Sequence, residues 1–440
     1  MKFPPHTEIE IGEMLSAIGL ESLDSLFDQI PRSVRLDGSL GLPVGVSELE
    51  VVDDLRRLAG RDRHLDELVC FAGAGAYDHY IPAVVWALAS RSEFSTSYTP
   101  YQPELSQGVL QVLFEFQSMV CELTGMDVSN ASLYDGATAL VEAVNMARSG
   151  DRTRVLVSEG VDPRLVDTLR TYGRGSGYEP EVFDAEGGRG GTPVMGTDVA
   201  AVVVQHPNVL GILEPASDLF SAARGAGARA IQVFDPLTLG VLAPPGELGA
   251  DIAVAEGQSL GNHLAYGGPY LGLIAARMGD VRRMPGRIVG ETVDLDGAPG
   301  FVLTLQAREQ HIRREKANSN ICTNQTLMAV AATIYLGWLG PDGLAEVGRL
   351  SAAKAAYAAA RLTEIPGVSL LHPRAPFFKE FALRVPGRAD ELVERLVERG
   401  YLAGVPFADA GDDVLLVAVT ERRTKEQIDG LADAMGEVLA

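Results

Sequence analysis

The sequence predicts an α/β protein built on a mostly parallel sheet, with an N-terminal helical arm and a smaller C-terminal α/β domain. Three observations carry that expectation. Apolar runs at 154–157, 181–183, 199–205 and 230–234 alternate with helical stretches near 163–172 and 217–225, and near-continuous apolar runs are those of strands buried on both faces. Those runs end in polar or glycine-rich segments, where open parallel sheets gather their binding groups. The end of the chain reads β-α-β-β-α over 379–385, 389–399, 402–405, 414–420 and 425–439, a compact unit in itself. The expected boundaries are 1–65 for the arm, 66–342 for the large domain and 343–440 for the small one.

Composition bounds the function. With 440 residues, 46% apolar and 22% charged, the chain can bury two or three sizeable cores. Its formal charge of −22 argues against nucleic acid or an anionic membrane as main partner, because phosphate contacts need clustered Lys and Arg. MKFPPHTEIE has no apolar signal core, and no uninterrupted apolar run approaches the roughly 18 residues of a membrane helix. A cytoplasmic protein is expected. Cys70, Cys121 and Cys322 are odd in number and fit no zinc spacing, so they read as reduced, mostly buried thiols.

In chain order, Thr7 and Glu10 form a capping box before Ile11, Met14, Leu15 and Ile18, which recur at helical spacing up to Gly19. Ser22 is placed to cap a second helix with Leu23, Leu26, Phe27 and Ile30 on one face. Such an arm buries little alone and is expected to pack on the main body or on a partner subunit. Residues 48–68 read as helix. The glycines of FAGAGAYDHY, Gly73 and Gly75, do not complete a dinucleotide fingerprint. Residues 92–108, dense in Tyr, Pro, Gln and Ser, are expected to form a structured loop. Helix resumes at 109–124, ending at Gly125. Asp135, Gly136, Ala137 and Thr138 then stand at the mouth of another helix, whose free N–H groups and dipole suit an anion such as a cofactor phosphate, or simply close packing.

The most informative stretch is 231–273. Its first strand ends on Asp235, with His206 and Asn208 just past the end of the preceding one. In enzymes built around pyridoxal phosphate, such a strand-end acid holds the pyridinium proton, and a lysine beyond the next strand forms the Schiff base. That lysine should fall near 256–262, and it is missing. The chain has five lysines, Lys2, Lys316, Lys354, Lys379 and Lys425. Strands at 251–254 and 271–275 would complete the sheet. In 306–325, Arg308, His311, Arg313, Arg314 and Lys316 form the one conspicuously basic region. On a helix Arg308, His311 and Arg314 would share a stripe, either a solvated face or a docking surface. Helix follows at 325–339 and 343–362, broken by Gly340 and Pro341.

SYTPYQPELSQG, NASLYDGATA, FDPLTLG, AEGQSLGNHLAYGGPYLG, RRMPGRIVGET and GFVLTLQAREQHIRREKANSNICTNQ closely resemble the P-protein, or glycine decarboxylase, family of the glycine cleavage system, in its split bacterial form and on the α side. The resemblance implies a fold type I pyridoxal-phosphate architecture, an α2β2 assembly with a β subunit that carries the Schiff-base lysine, and cofactor bound covalently there and not here. This chain has Gln258 in the equivalent region. It implies an aminomethyl-transferring glycine dehydrogenase, inactive alone. With its partner it decarboxylates glycine and passes the aminomethyl group to the lipoyl arm of H-protein. On this expectation Tyr98, Tyr101, Gln102, Ser106 and Gln107 contribute to the shared site or channel. Asp135, Thr138, His206, Asp235 and Gln258 mark a vestigial cofactor pocket, and Arg308, His311, Arg313, Arg314 and Lys316 are candidates for docking. No metal is expected. Two other readings compete: an autonomous pyridoxal-phosphate enzyme using Lys316, disfavoured by that lysine's position, and a scaffold for an acidic carrier.

Overall fold

Thr7 opens the first helix of the computed structural model, which describes residues 5–36, 38, 40–95, 99–317 and 321–440. Its hydroxyl accepts from the Glu10 amide while the Glu10 carboxylate receives the Thr7 amide, the reciprocal bonds of a capping box, and α1 runs Glu8–Ala17. The second arm helix forms only as a 3-10 turn, Asp24–Phe27. Ser22 does receive the Ser25 amide, but Pro31 follows too soon for the run to repay helix nucleation. A second capping box, Ser47 with Glu50, starts α2, Glu48–Ala59, which stops short of the expected residue 68. These residues belong to a compact unit that ends at Arg63; a second unit spans His64–Ala440.

The second unit is organised by seven strands: β1 Val128–Ser129, β2 Arg154–Ser158, β3 Pro180–Phe183, β4 Val199–His206, β5 Arg229–Phe234, β6 Ile252–Glu256 and β7 Gly272–Ala276. Their order is β1-β7-β6-β5-β4-β2-β3. Strands β3, β2, β4, β5 and β6 are mutually parallel, and β7 runs antiparallel to both its neighbours. Side chains alternate between two cores. Ala201, Val203 and Val233 face one, and Val202, Val204 and Phe234 the other, the period-2 arrangement of a sheet covered on both faces. Helices α3 Gln107–Thr124, α4 Gly136–Ala147, α5 Pro163–Ser176 and α6 Ala216–Gly225 supply the covers. At the end of α3, Gly125 sits at φ 65°, a left-handed cap that releases the chain toward β1.

A two-stranded hairpin, β8 Ile288–Val293 and β9 Pro299–Thr304, follows the sheet. Helix α7, Thr326–Leu362, is interrupted at Gly340 (φ 60°, ψ −178°) ahead of Pro341, as the sequence predicts. By length and composition it is the one described helix that could cross a membrane. Its first half instead packs Val330, Ala331 and Tyr335 into the main core, and its second half packs Ala355, Ala358 and Leu362 into the C-terminal one. That core also holds an antiparallel sheet, β10 Ser369–Leu370, β11 Glu380–Arg384, β12 Val405–Pro406 and β13 Val414–Ala418, in the order β10-β11-β13-β12. Helices α8 Ala389–Glu398 and α9 Lys425–Leu439 cover it. Strand pairing also joins Val69–Cys70 to Tyr401–Leu402. The cysteines are free; Cys70 is buried and Cys121 half-buried, but Cys322 is exposed, against expectation.

Candidate functional site

The carboxyl ends of β4, β5 and β6 open on a cavity of about 260 Å³, lined also by Ala74–Tyr77, the start of α4, and Lys379 and Glu380 at the head of β11. Asp135, Gly136 and Asp235 line it, whereas Thr138, His206 and Gln258 do not. Every one of the five residues read as its relics is already engaged by the chain itself.

At the mouth of α4, Asp135 caps the helix by accepting the Thr138 amide at 2.7 Å, and the Thr138 hydroxyl turns back on the same residue. Glu256, the last residue of β6, accepts from the Gly136 amide at 3.0 Å and, with its other oxygen, from the amides of Gln258 and Leu271, both at 3.0 Å. The approach needs glycine, since a Cβ at 136 would stand 2.7 Å from the Glu256 backbone nitrogen. Burial raises the Glu256 carboxyl to about 7 against the opposing pull of those amides.

Asp235 pairs with Lys379 at 2.5 Å. The Lys379 side chain is almost wholly buried, its ammonium 3.7 Å from the centre of the Tyr77 ring and 3.0 Å from His79 Nε2. His79 in turn bonds Glu421 through Nδ1 at 2.6 Å. Burial and the neighbouring Lys379 hold the His79 imidazole below its usual range, consistent with a neutral ring that accepts from Lys379 and donates to Glu421. Glu380 points into the same space, accepting from the Ala74 amide and the Tyr77 hydroxyl at 2.6 and 2.8 Å. Burial pushes its carboxyl up.

Gln258 occupies the region where the sequence looks for a lysine. Its Oε1 accepts from the Tyr77 amide at 2.9 Å, and its Nε2 donates to the Asn262 carbonyl at 2.7 Å. His206 is buried with Nδ1 accepting from the Glu214 amide at 3.0 Å; burial lowers its pKa to about 4. Lys379 is the residue that sequence reading missed. Its signal was a Lys-Glu pair heading an otherwise apolar strand, FFKEFALR, because charges in that setting are seldom buried unless paired.

A second cluster lies at the loop and hairpin. Gln107 and Gln117, both on α3, each hold a hairpin strand through both amide atoms: Gln107 donates to the Phe301 carbonyl at 2.9 Å and accepts its amide at 2.8 Å, and Gln117 does the same for Val289, both at 2.9 Å. Arg287 is buried and reaches Asn324 Oδ1 at 3.0 Å, the Cys322 carbonyl at 2.5 Å and the Tyr101 hydroxyl at 3.1 Å. The half-exposed Tyr101 ring meets His311 edge-on, 5.6 Å between centres. Gln102 is exposed and Ser106 buried; Tyr98 lies outside the described residues.

The expected basic stripe does not form. The stretch breaks into three short helical turns, Gln306–Arg308, Gln310–Arg313 and Arg314–Lys316, because Glu309 is extended between the first two (φ −82°, ψ 154°) and Arg314 takes φ 53° at the start of the third. Arg308 points inward, to the carbonyls of Met284, Gly286 and Leu305. His311, Arg313, Arg314 and Lys316 remain exposed. Lys316 does not line the cavity, and among the described residues no group of His, Cys, Asp and Glu is arranged to hold a metal ion.

The glycine cleavage system P-protein family matches residues 1–435 of the chain. A relative from Moorella thermoacetica named probable glycine dehydrogenase (decarboxylating) subunit 1 is 50% identical over 448 residues, covering both chains in full. A crystal structure of glycine decarboxylase (P-protein) of the glycine cleavage system, in inhibitor-bound form, superposes with TM-score 0.93 at 48% identity, again over all of both chains. A sphingosine-1-phosphate lyase from Burkholderia pseudomallei shares the fold, with TM-score 0.66 at 15% identity over 93% of this chain and 94% of that one. The architecture is that of fold type I pyridoxal-phosphate-dependent enzymes.

Proposed function

The chain belongs to the glycine cleavage system P-protein family, and from that premise we propose that it is the glycine decarboxylase subunit that does not hold the cofactor. The observation that carries this reading is Asp235, whose partner is an internal lysine, Lys379, at 2.5 Å. The residues present do not fit pyridoxal phosphate. The strand-end acid is already neutralised, Gln258 supplies no amine for a Schiff base, and the amides of Gly136 and Thr138 are bonded to Glu256 and Asp135. Covalent attachment and decarboxylation are therefore assigned to a second, lysine-bearing β subunit, in an α2β2 assembly. Within this chain the division at 342/343 into a large and a small domain belongs to the same proposal.

This subunit lends a wall to the partner's site and to the channel for the lipoyl arm of H-protein. Tyr98, Tyr101, Gln102 and Ser106 are the candidate contacts, with Gln107 bracing their loop against β9. Support comes from Tyr101, which keeps an exposed ring while buried Arg287 fixes its hydroxyl, the combination of rigid placement and open face that a contact residue needs. His311, Arg313, Arg314 and Lys316 are the candidate docking residues for the carrier.

Borohydride reduction with pyridoxal phosphate, on the full chain alone and mixed with the β subunit, followed by peptide mass spectrometry, tests the reading. The expected result is label on the partner only, with glycine exchange in the mixture alone. Label on this chain with glycine-dependent turnover would make it an autonomous enzyme. If variants of Tyr101 and Gln102 left exchange in the assembled enzyme unchanged while substitutions at 311–316 weakened carrier binding, the scaffold reading would replace it.

A further inference from the structure

We propose that Glu256 and Lys379 shut this pocket to phosphate-bearing cofactors, each taking with the chain's own atoms the place of one end of such a molecule. The inference rests on the reading above and adds the residues responsible. A helix N-terminus with open N–H groups is a ready anion site. Here α4 presents its Gly136 amide to Glu256 at 3.0 Å and its Thr138 amide to Asp135 at 2.7 Å. The acceptors are built in.

At the other end, a strand-end carboxylate needs a cation, and Lys379 supplies it at 2.5 Å. The lysine has little freedom to leave, with the Tyr77 ring at 3.7 Å and His79 Nε2 at 3.0 Å. The charge balance of the cavity acts in the same direction. Asp135, Asp162 and Asp235 line it against only Arg164 and Lys379, and Glu256 and Glu380, whose carboxyls burial raises, add negative charge as they ionise, an unfavourable field for an incoming phosphate. The space itself is not the obstacle, because the cavity stays open at about 260 Å³. One polar group there is uncommitted: Ser259 Oγ, on the loop after β6, lines the cavity, is buried and has no hydrogen-bond partner. With Glu256 truncated, Ser259 and the Gly136 amide would be left to meet an anion.

The test is thermal unfolding of the full chain across a titration of inorganic phosphate, and separately of pyridoxal phosphate, at fixed ionic strength. Wild type is expected to be indifferent to both. Glu256→Ala, or Glu256→Ser where the alanine variant does not fold, should gain a saturable phosphate-dependent rise in Tm, with apparent affinity about tenfold or more above wild type. Adding Lys379→Ala, or Lys379→Met if that fails to fold, should extend the gain to pyridoxal phosphate. Folded Glu256 variants as indifferent to phosphate as wild type would overturn the role of Glu256. Equal pyridoxal phosphate binding with and without Lys379 would overturn that of the lysine. A wild-type chain that takes up the cofactor would overturn the underlying reading too, so the two failures are distinguishable.

Discussion

The pocket at the strand ends and the loop-hairpin face use similar polar groups to opposite effect. In the pocket, donors and acceptors turn inward: Lys379 on Asp235, Glu256 on Gly136, Gln258 on Tyr77. At the loop, Arg287, Gln107 and Gln117 are spent on bracing, and the surface they brace keeps Tyr101, Gln102 and His311 open. The difference teaches that where a fold usually puts its chemistry need not be where a given member keeps it. Self-satisfied polar groups contribute structure, and positioned but open ones are available for contact. Pocket substitutions should therefore move stability, and loop substitutions activity in the assembled enzyme.

The largest effect should come from Lys379→Met, which strands Asp235 in a mostly buried site and should cost about 3–5 kcal/mol. Asp235→Asn in the same chain should recover most of that, as read from urea midpoints. Equal losses in the single and double variants would mean the pair is not coupled.

Glu256 gives a pH-dependent comparison. Its carboxyl, raised to about 7 from 4.5 by burial, holds its proton more tightly in the folded chain than in the unfolded one. Its contribution is fully present below about 4.5 and lost as pH rises through about 7, a swing of at most about 3 kcal/mol. Unfolding free energies of wild type and Glu256→Gln, measured from about pH 5 to about pH 8, should diverge in favour of the variant as pH rises. Curves that stay parallel would show that the glutamate does not titrate there.

On the other side of the comparison, Arg287→Lys keeps the charge but loses the fork that reaches Tyr101, Asn324 and Cys322. It should cost about 1–3 kcal/mol and speed limited proteolysis near 321–325. The smallest stability effect, about 1 kcal/mol or less, is expected for Tyr101→Phe, yet glycine exchange in the assembled enzyme should fall by about tenfold. A Tyr101 variant with normal exchange would remove it from the shared wall.

Much of the fold was legible because its signals are local. The runs at 199–205 and 230–234 are apolar throughout and became β4 and β5, and the boxes of Thr7 and Ser47 supply their own caps. Asp235 and Asp135 reached the pocket because strand ends and helix starts meet there in any parallel sheet. What was illegible depended on distant partners or on backbone twists. The hairpin strands at 288–304 draw part of their stability from glutamines on α3, and the basic stripe is broken by extended backbone at Glu309 and a positive φ at Arg314. Lys379 was hardest to place, because nothing near it in sequence announces Asp235.

That pairing has a consequence for the order in which the molecule can be made. His79 and Asp235 leave the ribosome well before Lys379 and Glu421, which complete the row with them. The parallel pairing of Val69–Cys70 likewise waits for Tyr401–Leu402. A nascent chain that has finished β1 to β7 still carries an uncompensated Asp235 at the centre of its sheet's edge, and synthesis from the N-terminus proceeds at about 5–20 residues per second. Lys379, which neutralises Asp235, is thus made only after the whole seven-stranded sheet has been translated.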